Sequence, residues 1–245
     1  LTLMACNIYN NSIENAIKPA LGLEVFHNFT LLHDDLMDEA DKRRNKPTVH
    51  KVWNANTAIL SGDAMLIAAY QLIGSTEHGH LKQVLDLFTQ TAAEICGGQQ
   101  FDMEFESRMD VSEEEYIEMI RLKTAVLLAC SLKTGALLGG ASQEDAGNLY
   151  AFGINIFLLI NALRLANKEQ AEALRSWMGK KEFDPAQKIQ AFTSIYNELQ
   201  LKQLTENKIQ AYYDASVENL KALQVAPEKL TILKEVCDHL MHRQS

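Results

Sequence analysis

The sequence predicts an all-α protein, and two observations carry that prediction. Apolar residues return at helical spacing along nearly all of the 245 residues, and only 4 prolines and 12 glycines interrupt them. The length admits one large domain or two. No repeat, low-complexity segment or linker divides it, so a single domain over residues 1–245 with a substantial core is expected.

The chain opens inside an apolar run, Leu1-Thr2-Leu3-Met4-Ala5, which predicts that further residues precede it. A helix is expected from about Lys18, with Pro19 in its first turn, carrying Leu21, Val25, Phe26 and Phe29; the loop Asp41 to Pro47 ends it. A second helix, about Asn54 to Ile73, is apolar except for Ser61-Gly62-Asp63. A mid-helix glycine costs about 1 kcal/mol against alanine, so Gly62 is read as a point of close helix packing. A long helix from about His80 to Phe105 contains Gly97-Gly98-Gln99-Gln100-Phe101-Asp102. Ser112-Glu113-Glu114-Glu115 is a capping box, opening a helix that runs through Lys123-Thr124 to an apolar end near Leu138. Asp184-Pro185 and Ala226-Pro227 read as helix starts, and Gln203 to Leu223 as a solvated, amphipathic outer helix.

A net charge of −9 excludes a general binder of nucleic acid or of anionic membrane, because either needs a basic face. Cys6, Cys96, Cys130 and Cys237 lie far apart in apolar helical stretches, without ligand spacing, and are expected to be buried thiols in a reducing cytosol. No apolar run long enough to span a bilayer and no secretory leader is expected, so the chain reads as cytoplasmic.

The chemistry concentrates where the first long helix ends, at Leu31-Leu32-His33-Asp34-Asp35-Leu36-Met37-Asp38, followed by Ala40-Asp41-Lys42-Arg43-Arg44. On a 3.6-residue period Asp34 and Asp38 stand one turn apart on one face, and Asp35 lies about 100° round from Asp34. Oxygen ligands on a partly open site suit Mg²⁺, which keeps several waters and shares its shell with phosphates. The planar forks of Arg43 and Arg44 pair with phosphate oxygens, so acids and bases together describe a bound metal-diphosphate. A solvated acidic helix end before a basic loop has the same composition. These acids, however, emerge from the apolar wall of Phe26, Phe29, Leu31 and Leu32.

The segment His27 to Asp38, then Arg43-Arg44-Asn45-Lys46-Pro47-Thr48-Val49-His50, resembles the first aspartate-rich motif and basic loop of the trans-isoprenyl diphosphate synthases. Leu60-Ser61-Gly62-Asp63, Gly98-Gln99-Gln100-Phe101-Asp102 and Lys123-Thr124 follow in family order and at about family spacing, so the resemblance covers Leu21 to Gly140. It implies an isoprenoid-synthase-type helical bundle around a central apolar cavity, assembled as a homodimer. It also implies that an allylic diphosphate ionises, isopentenyl diphosphate attacks the cation, and a proton leaves. By the same resemblance Asp34 and Asp38 ligate Mg²⁺ with Asp35 in support, as part of the family's three-ion set. Arg43 would hold the allylic diphosphate and Arg44 the isopentenyl diphosphate, which His27 would also contact. Lys123 would add charge on the allylic diphosphate, with the Thr124 hydroxyl and nearby carbonyls facing the cation. Gln99 and Asp102, which share a face, would line the cavity or hold a metal-bound water. Each has a plainer reading as well: a snorkelling lysine, a helix-packing hydrogen bond, a satisfied core histidine.

In related enzymes a bulky residue at the place of Phe29 acts as the floor of the product tunnel, while a small one at the place of Thr30 leaves room. The resemblance therefore implies a short product, C20 ahead of C15. Two features depart from the family pattern. No acidic cluster like the first occurs after Asp38, and Phe157 to Leu163 looks like the start of a helix that should come well after a second such cluster. A glycine-lysine-arginine signature expected before Leu1 is also missing. Because Asp34 to Arg44 are intact, the molecule is expected to carry the missing wall; an intact mass near 27.5 kDa would instead indicate a deletion and an inactive protein. A non-catalytic partner subunit is a rival reading that loss of the acids or arginines would favour, and a terpene cyclase is a rival that has no use for Arg44 and His27.

Overall fold

The structure, a computed structural model, describes residues 1–108, 110–157 and 201–241. Its helices are α1 (Thr2–Tyr9), α2 (Glu14–Met37), α3 (Val49–Val52), α4 (Ala55–Gly74), α5 (His78–Phe105) and α6 (Glu113–Ile120). A π-helical turn, Arg121–Ala125, joins α6 to α7 (Val126–Gly139). Residues 143–157 form α8, and α9 (Leu201–Lys221), a 3₁₀ turn (Pro227–Leu230) and α10 (Thr231–Met241) complete the described chain. The all-α expectation holds.

Two apolar clusters organise the packing. In one, Leu23 and Phe26 of α2 meet Ile73 of α4, Phe88 of α5 and Val126 of α7. In the other, Ile8 of α1, Leu132 of α7 and Phe152 of α8 meet Leu220 of α9 and Leu233 of α10. Burial of such side chains contributes about 1.5–3 kcal/mol each, which is what holds these weakly amphipathic helices together.

Local signals placed several ends correctly. Asn54 caps α4 by accepting the Thr57 N–H at 2.8 Å, and Ser112 and Glu115 close the reciprocal capping box. Others moved. α2 begins at Glu14, so Pro19 is its sixth residue rather than part of the first turn; the ring is buried and the helix forfeits only one hydrogen bond near its start. The segment after α2 is a hairpin rather than a plain loop. β1 (Lys42–Arg43) pairs with β2 (Lys46–Pro47) through a two-residue turn in which Arg44 and Asn45 both have positive φ, 52° and 65°. Cys6 and Cys130 are buried as expected, Cys96 is exposed, and the Cys237 side chain lies outside the described residues. The Asp184-Pro185 start and the departure from Leu158 onward also lie outside them.

The expectation about apolar length needs correction. α4 and the stretch Glu114–Gly139 are both long and apolar enough to cross a membrane on those two criteria alone. The second is mostly buried in the fold, whereas α4 leaves much of its apolar surface uncovered.

A buried carboxylate ties the C-terminal helices to the rest. Asp145, 3% exposed, takes the Gln224 N–H at 3.0 Å while its own N–H donates to Ser142 Oγ. Asp145→Ala removes a charge-assisted bond and is expected to cost about 1.5–3 kcal/mol. Thermal unfolding should register the loss, and an unchanged midpoint would contradict it.

Candidate active site

α2 delivers three carboxylates to its C-terminal end because its apolar face, Leu23 and Phe26, is locked against α4, α5 and α7. His33 fixes the register. A Cβ on Gly62 would stand 2.1 Å from His33 Nε2, so only glycine at that point of α4 leaves room for the ring. The ring's Nε2 lies 3.3 Å from the Ile59 carbonyl, and Phe29 packs against it at 4.7 Å between centroids.

The hairpin turns the chain back so that Arg43 reaches α2. Its Nε donates to Asp35 Oδ1 at 2.7 Å and its Nη2 to Asp34 Oδ2 at 2.9 Å. Asp35 is 7% exposed and therefore serves as the buried anchor of Arg43 rather than standing open beside the other acids. Arg44 sits at the exposed turn and is not drawn into this cluster.

Lys123 enters from the π turn. Its Nζ donates to Asp102 Oδ2 at 2.5 Å and stands 2.9 Å from Asp34 Oδ1. The hydrogen-bond alignment goes to Asp102; Asp34 Oδ1 is buried, takes no aligned hydrogen bond and is held by charge. Burial opposes the charge on Lys123, and the carboxylates of Asp102 and Asp34 more than offset it, so its pKa lies above the ordinary lysine value. The close approach of α5 makes this possible. A Cβ on Gly98 would fall 2.2 Å from Lys123 N and 2.6 Å from its Cα.

The Asp38 carboxyl is pushed up by burial first, then by the charge of Asp34, with Asp102 and Glu106 adding and Lys123 opposing. A raised native pKa means that ionised Asp38 weakens the ligand-free fold. The penalty is absent below the unfolded carboxyl pKa and complete once pH exceeds the native one. Asp38→Asn should therefore raise the ligand-free melting temperature at pH 8 and leave it unchanged at pH 3; the opposite ordering would refute the sign.

Among the described residues no three acids, histidines or cysteines are gathered into a formed metal cage. The donor set still fits a hard cation. Asp34 Oδ1 is a buried oxygen without an aligned donor, and Asp38 is a carboxyl held in excess negative charge. Gln99, on the same α5 face as Asp102, has a buried Nε2 with no hydrogen-bond partner in the fold, which leaves it available to a ligand. The Thr30 hydroxyl donates to the His27 carbonyl at 2.8 Å. His27 and Thr124 are half-buried, two turns before the acids and beside Lys123 respectively.

Sequence reasoning missed the π turn, which inserts a residue into an otherwise continuous helix and re-aims Lys123. It also missed Arg108, which lies over the Phe105 ring, forks onto Glu115 at 2.9 and 3.3 Å and bonds Asp110 at 3.0 Å. That clasp spans the α5–α6 connection, from Phe105 at the end of α5 to Glu115 in the first turn of α6. The basic residue six positions after Asp102, ahead of a capping box, was its only sequence signal.

The model of the polyprenyl synthetase family matches residues 1–157. The chain belongs to that family. Polyprenyl synthetases of the trans-isoprenyl diphosphate synthase kind are prenyltransferases, generally Mg²⁺-dependent, and share this all-α fold. The match ends at Phe157. The geranylgeranyl diphosphate synthase of Methanosarcina mazei is 32% identical over 271 aligned residues, covering 99% of this chain and 83% of that protein. That alignment is longer than the chain, so the relative carries residues for which this chain has no counterpart. A short chain isoprenyl diphosphate synthase of Methanothermobacter thermautotrophicus is 38% identical over 154 residues, 62% of this chain and 47% of that protein. A crystal structure of a geranylgeranyl pyrophosphate synthase superimposes with a TM-score of 0.83 at 34% identity, over 100% of this chain and 86% of that one.

Proposed function

We propose that this polyprenyl synthetase is a short-chain trans-prenyl diphosphate synthase, condensing isopentenyl diphosphate with an allylic diphosphate to a C20 product, with C15 the nearest alternative. The observation that carries the reading is the convergence of Arg43 and Lys123 on Asp34, beside Asp38, where α2 emerges from its apolar packing. The geranylgeranyl names of relatives in both sequence and structure support the product class.

Asp34 and Asp38 would hold Mg²⁺, with Asp35 contributing through its grip on Arg43. The metal, when bound, supplies stabilisation of charge on the departing diphosphate. Arg43, freed from Asp34 but still anchored by Asp35, turns its fork to the allylic diphosphate, and Lys123 adds a second positive charge there. Both act on charge that grows as the carbon–oxygen bond breaks, which is where fixed electrostatics lower a barrier. Arg44 and His27 would serve the isopentenyl diphosphate, Gln99 and Thr124 the cavity wall, and Phe29 the floor, with Thr30 leaving room above it.

A homodimer in the cytoplasm fits two further features. α4 exposes Ile59, Leu60 and Ile67, and α5 exposes Phe101 and Met103, a surface suited to a second copy. Cys6, Cys96 and Cys130 are free thiols.

Incubation with labelled isopentenyl diphosphate, a panel of allylic primers and Mg²⁺, followed by chromatography of the hydrolysed products, tests the reading. Absence of elongation with every primer would overturn it. Phe29→Ala should lengthen the product, and an identical product spectrum from the purified variant would remove Phe29 as the floor.

A further inference from the structure

The hairpin that carries Arg43 and Arg44 has little of its own to hold it in place. Each strand is two residues long, and Pro47, opposite Lys42, has no N–H to give to the pairing. The ion pair at its base, Lys51 Nζ to Asp41 Oδ1 at 2.9 Å, joins side chains that are 43% and 82% exposed and contributes little. Thr48 is different. It is 3% exposed, its hydroxyl donates to the Ala40 carbonyl at 2.6 Å, and its N–H donates to the Asp41 carbonyl at 3.2 Å. Thr48 also stands at the N-cap of α3, where a threonine hydroxyl ordinarily accepts an N–H from the first turn of the helix, yet it makes no such bond. Its hydroxyl serves the hairpin instead. Ala40 in turn donates its N–H to the Asp35 carbonyl at 2.9 Å, and the Asp35 carboxylate holds Arg43 Nε at 2.7 Å. A closed circuit therefore runs from the end of α2 through Ala40 and Thr48 into the hairpin, and back through Arg43 to the same aspartate.

We propose that Thr48 is the positioning residue of the basic hairpin, its hydroxyl fixing where Arg43 and Arg44 stand relative to the carboxylates of α2. The catalytic consequence rests on the prenyl synthase reading. On that reading Arg43 gives up Asp34 for the allylic diphosphate, so one of the two ion pairs tying the hairpin to α2 is lost when its position matters most. Asp35 and Thr48 then hold it. Removing the hydroxyl leaves the Ala40 carbonyl without the donor that joins it to the other side of the hairpin. Loss of one such bond shifts a local equilibrium by about tenfold, and a small displacement of a group that holds a reacting substrate lowers the rate on at least that scale.

The test uses the full chain with Thr48→Val, which removes the hydroxyl and keeps the shape, and Thr48→Ser, which keeps the hydroxyl. In the ligand-free protein, amide hydrogen exchange over residues 40–48 should be about tenfold faster in Thr48→Val and within about twofold of wild type in Thr48→Ser. An unchanged exchange rate in Thr48→Val would overturn the proposal whatever the activity. With Mg²⁺, saturating isopentenyl diphosphate and an allylic primer, Thr48→Val should lower kcat/KM for the primer about tenfold. The same change made in an Arg43→Met background should lower it by less than about twofold, because the hairpin no longer has that fork to aim. A purely stabilising Thr48 would leave kcat/KM of the folded protein unchanged or lower it equally in both backgrounds. Either result, or a Thr48→Ser variant as impaired as Thr48→Val, would refute the positioning role. If Thr48→Val does not fold, Thr48→Ala is read by the same criteria. Wild-type elongation in the same assay reports on the synthase reading, and the exchange measurement does not depend on it, so the two can fail independently.

Discussion

Replacing Lys123 by methionine is expected to lower kcat by about 10²–10³-fold, the usual consequence of removing one preorganised donor from a site where charge develops. Methionine keeps the apolar stem that crosses the core, so the loss isolates the ammonium. That ammonium is sandwiched between Asp34 and Asp102 and lies next to Asp38 electrostatically. Without it, three carboxylates face one another in a half-buried space, and the ligand-free protein should also melt earlier at pH 8 than at pH 5. Lys123→Arg should not restore the rate, since a planar fork cannot occupy the position of a compact charge between two acids. Single-turnover measurement of allylic diphosphate consumption separates this effect from product release. A kcat within threefold of wild type would mean that Lys123 only snorkels.

Gly98→Ala should be nearly as damaging although it changes no functional group. Its Cβ would fall inside the Lys123 backbone, at 2.2 Å from the nitrogen, so α5 and the π turn must move apart. Overpacking of this kind costs about 1–3 kcal/mol, and a displacement near 1 Å at a positioned group costs about 10²-fold in rate. Gly97→Ala provides the control in the adjacent residue. Nothing lies within 4 Å of a Cβ there, so it should be neutral or slightly stabilising, by up to about 1 kcal/mol, as alanine replaces glycine in a helix. Equal melting temperatures and rates for the two variants would show that Gly98 has no positioning role.

The helices and the acidic cluster were legible because their causes are local. Apolar spacing, the capping box at Ser112 and the cap at Asn54 act within one or two turns, and Asp34 and Asp38 share a face by helical period alone. The role of Gly62 was legible as well, because a glycine in an otherwise apolar helix needs a neighbour that comes close, here His33. The start of α2 was misjudged because Pro19, buried against the fold, is accommodated in the second turn rather than the first, and burial is not a local property.

What remained hidden depends on residues far apart in sequence. Spacing and resemblance could associate Arg43 and Lys123 with the acidic cluster, but not decide which carboxylate each would hold. That Arg43 forks across Asp34 and Asp35, and that Lys123 is shared by Asp34 and Asp102, follows from where α2, the hairpin, α5 and the π turn pack. Periodicity and side-chain chemistry act over a few residues, so they sufficed to read an all-α chain in which one apolar helix ends in three carboxylates followed by a basic segment. How those carboxylates are neutralised, and how Phe26 meets both Phe29 and Phe88, follows from the packed helices alone, because ion pairing and ring packing act through space between elements that chain order does not bring together.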